Sequence, residues 1–250
     1  MFDLRQFGAL APEWYERIHY HHELESTNDA AHDLAACGAE HGTLVLADHQ
    51  TAGRGRRGAQ WTSAPGDGLL FSLVLRPSLP KLHWSRLALS TGLGLAEALQ
   101  DKWQITAHVK WPNDIYISER KCAGVLVEAR DDHVVIGMGI NVLSAPAVGN
   151  SRISAIAMAE ATSKPLSRER VLAVLLPAIM REVNGCADHF ETQLERLREK
   201  CYLTGKRIRF RMQDAVLDGL VRGIGPDGIL QVEVDGELKG FSQASDIDVL

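Results

Sequence analysis

Residues 53–58, GRGRRG, place three glycines and three arginines in one hexapeptide. Glycine reaches backbone angles closed to other residues and lets a ligand approach the main chain. Arginine carries a permanent charge on a planar fork of donors suited to phosphate and carboxylate. A loop of this composition can close over an anion, with successive backbone N–H groups forming a nest around it. It is not a Walker loop, because the chain has no GxxxxGK[ST]. The loose GxGxxG formed by Gly53, Gly55 and Gly58 lacks the following apolar helix and downstream acidic residue of a dinucleotide-binding unit. A basic surface loop that touches nucleic acid non-specifically is the competing interpretation. The flanks give context: residues 43–48 (TLVLAD) form a buried strand that runs through His49 and Gln50 into the loop. Trp61 follows, residues 65–68 make a turn, and residues 69–75 form a second strand stopped by Arg76-Pro77. A strand entering and a strand leaving put the loop at a sheet edge, over a site, with Trp61 either packing on the ligand or anchoring the loop.

The chain of 250 residues can bury a core and hold one or two domains. Its net charge of −5 makes the arginine loop a local feature of a mildly acidic protein, which argues against a nucleic-acid partner that needs a broad basic face. Cys37, Cys122, Cys186 and Cys201 show no CxxC or zinc spacing, and no signal peptide is apparent, so they are expected to be reduced thiols in the cytoplasm. No apolar run has the length of a membrane span.

Upstream, Trp14, Tyr15 and Ile18 stand at helical spacing, and His19, His21 and His22 suit a solvated strand edge better than a metal site, lacking acidic or cysteine partners at ligand spacing. Glu25-Ser26-Thr27-Asn28 precedes an alanine-rich helix ending at Cys37-Gly38. Ser26 or Thr27 suits the N-cap, and the same hydroxyls and free N–H groups suit a polar ligand head.

Downstream, residues 84–102 form a helix, in which Gly92 and Gly94 permit close packing against a sheet. Strands follow at 105–109, 115–117, 121–128 and 134–140, presenting Asn113, Asp114, Lys121 and Asn141 at their ends. Lys121 and Asp114 also suit plain turn chemistry. Residues 151–160 begin a helical stretch, and from 167 one or two helices run on, with Pro177 a candidate kink and Gly185 a break. After Gly205, short runs at 206–212, 216–223, 229–234 and 238–241, separated by Gly and Asp turns, have the rhythm of a small antiparallel barrel. The organisation expected is 1–204 as one domain and 205–250 as a second, packed on the first.

Five segments in this order, ESTN at 25–28, QTAGRGRRG at 50–58, KWPNDI at 110–115, RKCAGVLVE at 120–128 and GIN at 139–141, give a chain that resembles the biotin–protein ligases (biotin–[acetyl-CoA-carboxylase] ligases) over roughly residues 20–250. The resemblance implies an α+β fold: a mixed, largely antiparallel sheet with helices, the biotin/lipoate ligase catalytic fold, plus a small C-terminal SH3-like β-barrel. It implies two steps, in which biotin and ATP give biotinyl-5′-AMP and pyrophosphate and a carrier lysine then attacks the acyl phosphate. Ser26, Thr27, Asn28 and Gln50 then match ligands of the ureido ring. Gly53, Arg54, Gly55 and Arg56 match the loop over biotin's carboxylate and the adenylate phosphate, and Gly124 borders the same pocket. Arg56, Trp61, Lys110, Asn113, Asp114, Lys121 and Asn141 match the ATP and adenylate side, with Lys121 bridging carboxylate and α-phosphate and, with Arg56, stabilising the reacting charge.

The resemblance also implies Mg²⁺ carried by ATP without dedicated protein ligands, Asp114 being the candidate side chain. The implied partner is a biotin carboxyl carrier domain of a carboxylase, and exposed sheet edges suit either that carrier or a second copy of the chain. Only about 25 residues precede ESTN, fewer than a winged-helix DNA-binding domain needs, so a monofunctional ligase without DNA binding is expected. Rival assignments are a lipoate or octanoate ligase of the same fold and a regulator that binds biotin without turnover.

Overall fold

The computed structural model describes residues 1–130, 132–146 and 154–250. In chain order its helices and strands are α1 (Leu4–Leu10), α2 (Pro12–Tyr15), β1 (Ile18–Leu24), α3 (Thr27–Ala36), β2 (Leu44–Gln50), β3 (Gly68–Leu75), α4 (Arg86–Trp103), β4 (Ala107–Lys110), β5 (Asp114–Ile117), β6 (Arg120–Ala129), β7 (Val134–Asn141), α5 (Met158–Ala161), α6 (Arg168–Gly185), α7 (Phe190–Glu199), β8 (Arg207–Met212), β9 (Ala215–Ile224), β10 (Leu230–Val234), β11 (Glu237–Phe241) and β12 (Ser245–Val249). A seven-stranded sheet has the order β1-β2-β3-β7-β6-β5-β4, and a second sheet of five strands has the order β11-β10-β9-β8-β12. Among the paired strands described, β1 and β2 are parallel and the other pairs antiparallel. The mixed, largely antiparallel α+β expectation therefore holds. No helix among the described residues is long and apolar enough to cross a membrane.

Alternation along the strands gives the main sheet two different faces. Leu44 and Leu46 of β2 join Leu69, Phe71, Leu73 and Leu75 of β3 in the main core with α4 and α6. Side chains of this kind contribute about 1.5–3 kcal/mol each when fully buried. Val45, Val74 and Val135 point the other way and pack on Ala31 and Ala35 of α3. Helix α3 covers only part of that second face, and the uncovered remainder carries the site. Gly92 faces Val109 and Ile115 of the sheet, as anticipated, whereas Gly94 faces α6: a Cβ there would lie 2.7 Å from the Ala178 carbonyl oxygen.

Several local expectations are corrected. Ile18 does not continue the helical spacing of Trp14 and Tyr15; it opens β1, an edge strand on which His19, His21 and His22 are exposed. Of the helix expected over 151–160, residues 151–153 lie outside the described residues, 154–157 are non-helical, and helix starts only at Met158. Pro177 sits inside α6 without ending it, and Gly185 is its last residue. Strand β12 was not anticipated.

A buried histidine pair ties α3 to the start of β7. His133 Nδ1 lies 2.9 Å from Asp132 Oδ1, so it donates there and leaves Nε2 to accept from His32 Nδ1 at 2.9 Å. Burial, Arg130 and His133 hold the His32 pKa below its ordinary value of 6.5. The unfolded chain then takes up this proton first as pH falls. The stability contribution is fully present above 6.5 and is lost as pH drops from there through the folded value. A thermal melting series should show a lower Tm at mildly acidic pH than at neutral pH, with a smaller drop in His32→Asn. An identical drop in the two proteins would remove His32 as its source.

Candidate active site

The floor of the site follows from the alternation of residues 134–141, VVIGMGIN. Val134, Ile136, Met138 and Ile140 belong to the main core, so Val135, Gly137, Gly139 and Asn141 fall on the opposite face. In register, Gly139 pairs with Gly124 of β6 and Gly137 with Leu126, while Ser72 of β3 lies beside Gly137 on the other side. Three glycines leave the sheet bare here, and other groups lie directly on it. A Cβ on Gly139 would come within 2.5 Å of Trp61 Nε1, and one on Gly124 within 3.0 Å of the same indole. The result is a cleft of about 810 Å³ bounded by the sheet, the start of α3, the arginine loop and the β12 side of the second sheet.

One end of the cleft is a wired set of neutral polar groups. Gln50 Oε1 accepts from the Thr27 backbone N–H at 2.6 Å and from Thr27 Oγ1 at 2.9 Å. Ser72 Oγ stands 2.8 Å from Thr27 Oγ1 and 2.6 Å from Asn28 Oδ1, and Asn28 Nδ2 donates to Glu128 Oε2 at 2.6 Å. Ser26 holds the N-cap position of α3 with extended backbone angles, but its side chain makes no capping bond. Ser26, Thr27 and Asn28 are all buried. This network holds its donors and acceptors in fixed directions, as recognition of a ring with one carbonyl and two N–H groups requires.

The other end is cationic. Lys121, the second residue of β6, has its backbone clamped: its N–H donates to Ser154 O at 2.9 Å and its carbonyl accepts from Ile156 N–H at 3.0 Å. Its Nζ lies 2.8 Å from Asp114 Oδ1, a charge contact without hydrogen-bond alignment, and 5.4 Å from the Trp61 ring centre. Lys110 donates to the Tyr116 hydroxyl at 3.1 Å, and burial pulls its ammonium below the usual lysine range. Arg56 points inward and makes a long contact, 3.4 Å, with Asn113 Oδ1; burial and then the neighbouring Arg57 disfavour its charge. Asn113 is fixed by Nδ2 donating to Val125 O at 2.7 Å. Cations so placed and incompletely paired are suited to receive an anion.

The loop closes on itself. Gly55 N–H donates to Ala59 O at 2.6 Å and Trp61 N–H to Gly53 O at 2.9 Å, while Arg57 and Gly58 take the left-handed conformation (φ 55° and 74°). Of the residues singled out in the sequence, Ser26, Thr27, Asn28, Gln50, Arg54, Gly55, Arg56, Trp61, Lys110, Asn113, Asp114, Lys121 and Gly124 line the cleft. Gly53 and Asn141 do not. Gly53 is buried at the loop's root, where a Cβ would meet Trp61 O at 2.7 Å. Asn141 ends β7 beside the start of β6, its Nδ2 3.4 Å from the carbonyls of Lys121 and Ile156, and so braces the backbone at the lysine.

Sequence reasoning missed Ser72, Asp29, Glu128 and the second sheet's Arg211, Asp246 and Asp248, the last three being cleft-lining residues. A serine inside the apolar run GLLFSLVL was a usable signal for the first of these.

Comparison with known proteins fits this geometry. The model of the biotin/lipoate A/B protein ligase family matches residues 21–141. The bifunctional ligase/repressor BirA of Bacillus subtilis is 33% identical over 247 residues, covering 96% of this chain and 76% of that protein. The biotin–[acetyl-CoA-carboxylase] ligase of Mycobacterium tuberculosis is 30% identical over 220 residues, covering 84% of this chain and 81% of that one. A solved structure of biotin protein ligase from Aquifex aeolicus in complex with biotin and ATP aligns with a TM-score of 0.82 at 28% identity, over 94% of this chain and 99% of that chain.

Proposed function

Because this chain belongs to the biotin/lipoate A/B protein ligase family, we propose that it condenses biotin with ATP to biotinyl-5′-AMP and pyrophosphate, then passes the biotinyl group to a lysine of a biotin carboxyl carrier domain. The observation that carries this reading is the polarity of a single cleft, with a neutral hydrogen-bonding set at buried Thr27 and Asn28 and half-buried Gln50 and cations at Arg56, Lys110 and Lys121. The ureido ring would occupy the neutral end. The valeryl chain would cross the bare glycine floor and bring its carboxylate to Lys121.

There the carboxylate must attack the α-phosphorus of a triphosphate whose oxygens are already negative. Lys121 and Arg56 would offset that repulsion and the charge gathering on the phosphoryl oxygens, so catalysis is electrostatic stabilisation with positioning and needs no protein nucleophile. Among the described residues no three His, Cys, Asp or Glu gather as a metal site. Asp114 Oδ1, buried and without an aligned hydrogen bond, is a carboxylate oxygen next to Lys121 that fits Mg²⁺ arriving on ATP. Mg²⁺ there would neutralise phosphate charge. Asn113 and Lys110 would face the nucleotide.

We divide the chain into a catalytic part, 1–204, and a C-terminal part, 205–250, whose Arg211 and β12 residues would complete the nucleotide side of the cleft. A cytoplasmic setting suits unpaired cysteines and a reaction that consumes ATP. Strand β1, paired on one side only, offers an edge to the carrier or to a second copy. The net charge of −5 leaves DNA out of the proposed partners.

Mass spectrometry of the purified chain with biotin and Mg-ATP, without carrier, should detect biotinyl-5′-AMP and pyrophosphate. Biotin binding with neither product would instead indicate a sensor, and activation of lipoate in preference to biotin a different acyl ligase. Arg56→Gly should speed release of biotinyl-5′-AMP by about ten-fold or more, since the inward guanidinium and its loop shield the acyl phosphate. Release at the parent rate would take Arg56 out of retention.

A further inference from the structure

The two arginines nearest the start of the loop both line the cleft but take different partners. Arg56 turns into the cleft, whereas Arg54 grips the first turn of α3: Nη1 donates to Asp29 Oδ2 at 2.5 Å and Nη2 to Asp29 Oδ1 at 2.7 Å. Nη2 also reaches Glu128 Oε2 of β6 at 3.4 Å, the oxygen that accepts from Asn28 Nδ2. We propose that Asp29 and Glu128 act as positioning residues, a carboxylate latch that holds the arginine loop shut through Arg54 while the loop covers the acyl-adenylate. The proposal rests on the ligase reading above, and it reassigns Arg54 from a ligand of biotin to the moving half of a clasp.

Three observations carry it. The fork-on-fork geometry is the strongest form of an arginine–carboxylate pair and specifies one loop orientation. The clasp joins three separate elements: the loop, the helix whose first residues hold the neutral end of the site, and β6, the strand that carries Lys121. Glu128 also serves Asn28, so the order of the ureido end and the closure of the loop share one oxygen. The strength is suited to a part that must open: the side chains of Arg54, Asp29 and Glu128 are 37%, 45% and 33% exposed, so solvent and salt screen the pair. The Arg54 contact also holds the Asp29 carboxyl below its ordinary range, so the latch stays charged at neutral pH.

Trypsin cleavage after Arg56 and Arg57 in the ligand-free full chain reads loop opening directly. Asp29→Asn should speed that cleavage by about two- to five-fold. Asp29→Glu should recover most of the protection, and Arg54→Gln should match Asp29→Asn with no further gain in the double variant. Added salt should speed cleavage of the parent and leave Asp29→Asn nearly unchanged. Glu128→Gln, which keeps an acceptor for Asn28, gives a second route if Asp29→Asn folds poorly. Cleavage of these variants at the parent rate, or additive effects of Asp29→Asn and Arg54→Gln, would overturn the latch.

With substrates, the release of biotinyl-5′-AMP should quicken by the same factor in Asp29→Asn and Arg54→Gln, with the KM for biotin little changed. An Arg54→Gln enzyme with a raised biotin KM beside a normal Asp29→Asn would mean that Arg54 binds biotin itself. A chain that forms no biotinyl-5′-AMP at all would defeat the ligase reading, and the proteolysis would still decide the latch.

Discussion

Alanine at Lys121 is expected to slow biotin-dependent pyrophosphate release by about 10²- to 10³-fold, the loss typical when one charge-stabilising donor is removed from a transition state. The site gives Lys121 little freedom to be replaced. Its backbone is held by the segment of Ser154 and Ile156 on one side and by β5 on the other, so the side chain projects from a fixed point. Its ammonium stands between Asp114 and the face of Trp61, at the cationic end of the cleft. Arg56 cannot cover for it, being mounted on a loop and reaching the cleft from the side of Asn113. Lys121→Arg should rescue poorly, because a guanidinium spreads its charge over a planar fork and would pair with Asp114 and the Trp61 face rather than present a compact point charge to two reacting anions.

The fold should survive the change. The clamping hydrogen bonds are made by main chain, and the lost partner of a half-buried Asp114 costs on the order of 1 kcal/mol. The Tm therefore serves as the control that separates lost chemistry from lost structure. Pyrophosphate release within about ten-fold of the parent, at equal Tm, would show that the lysine does not bridge the reacting groups.

Legibility in the sequence tracked the local character of each signal. The helix of residues 27–36 and the strands on both sides of the arginine loop were readable because apolar pattern and punctuating glycines lie within a few residues of each other. Gly38 does take the left-handed conformation after α3, at φ 90°. Strand β12 was not readable: SDIDV is short and acidic, and it is a strand because β8 supplies its partner across more than thirty residues. The same non-locality hid the division of labour in GRGRRG. Arg54 and Arg56 are alike in sequence, and only Asp29 and Glu128 on one side and Asn113 on the other separate their directions. Asn141 was assigned to the nucleotide by the family resemblance; in the fold it lies outside the cleft lining, its amide turned to the carbonyl of Lys121. The neutral end was legible as residue types but not as a network, since Ser72 and Glu128 reach it from other strands.

Gly137→Ala is expected to raise the KM for biotin by about 10²-fold while leaving the protein folded, a loss on the scale of removing one or two good hydrogen bonds from a binding site. The methyl group would overlap Asn28 Oδ1 and lie 2.8 Å from its Cγ, far inside contact distance. In an isolated pair the amide would simply rotate away. Here it is held from two sides, Oδ1 by Ser72 and Nδ2 by Glu128, so relieving the overlap means breaking at least one of those bonds or shifting the start of α3. Either movement also disturbs Thr27, which shares the Ser72 hydroxyl and pairs with Gln50. The damage should be confined to the ureido end. The strand pairs of β7 with β3 and β6 use backbone that alanine leaves intact, and the cationic end lies beyond Gly139. At saturating biotin the kcat for adenylation should therefore fall much less than kcat/KM. The complementary variant Asn28→Ala in the Gly137→Ala background removes the overlap without restoring the amide, so it should show no further loss. Steady-state kinetics on the three proteins decide the matter: a parent-like KM in Gly137→Ala would mean that Asn28 does not hold the ring, and a loss in kcat alone would place the biotin elsewhere on the glycine floor.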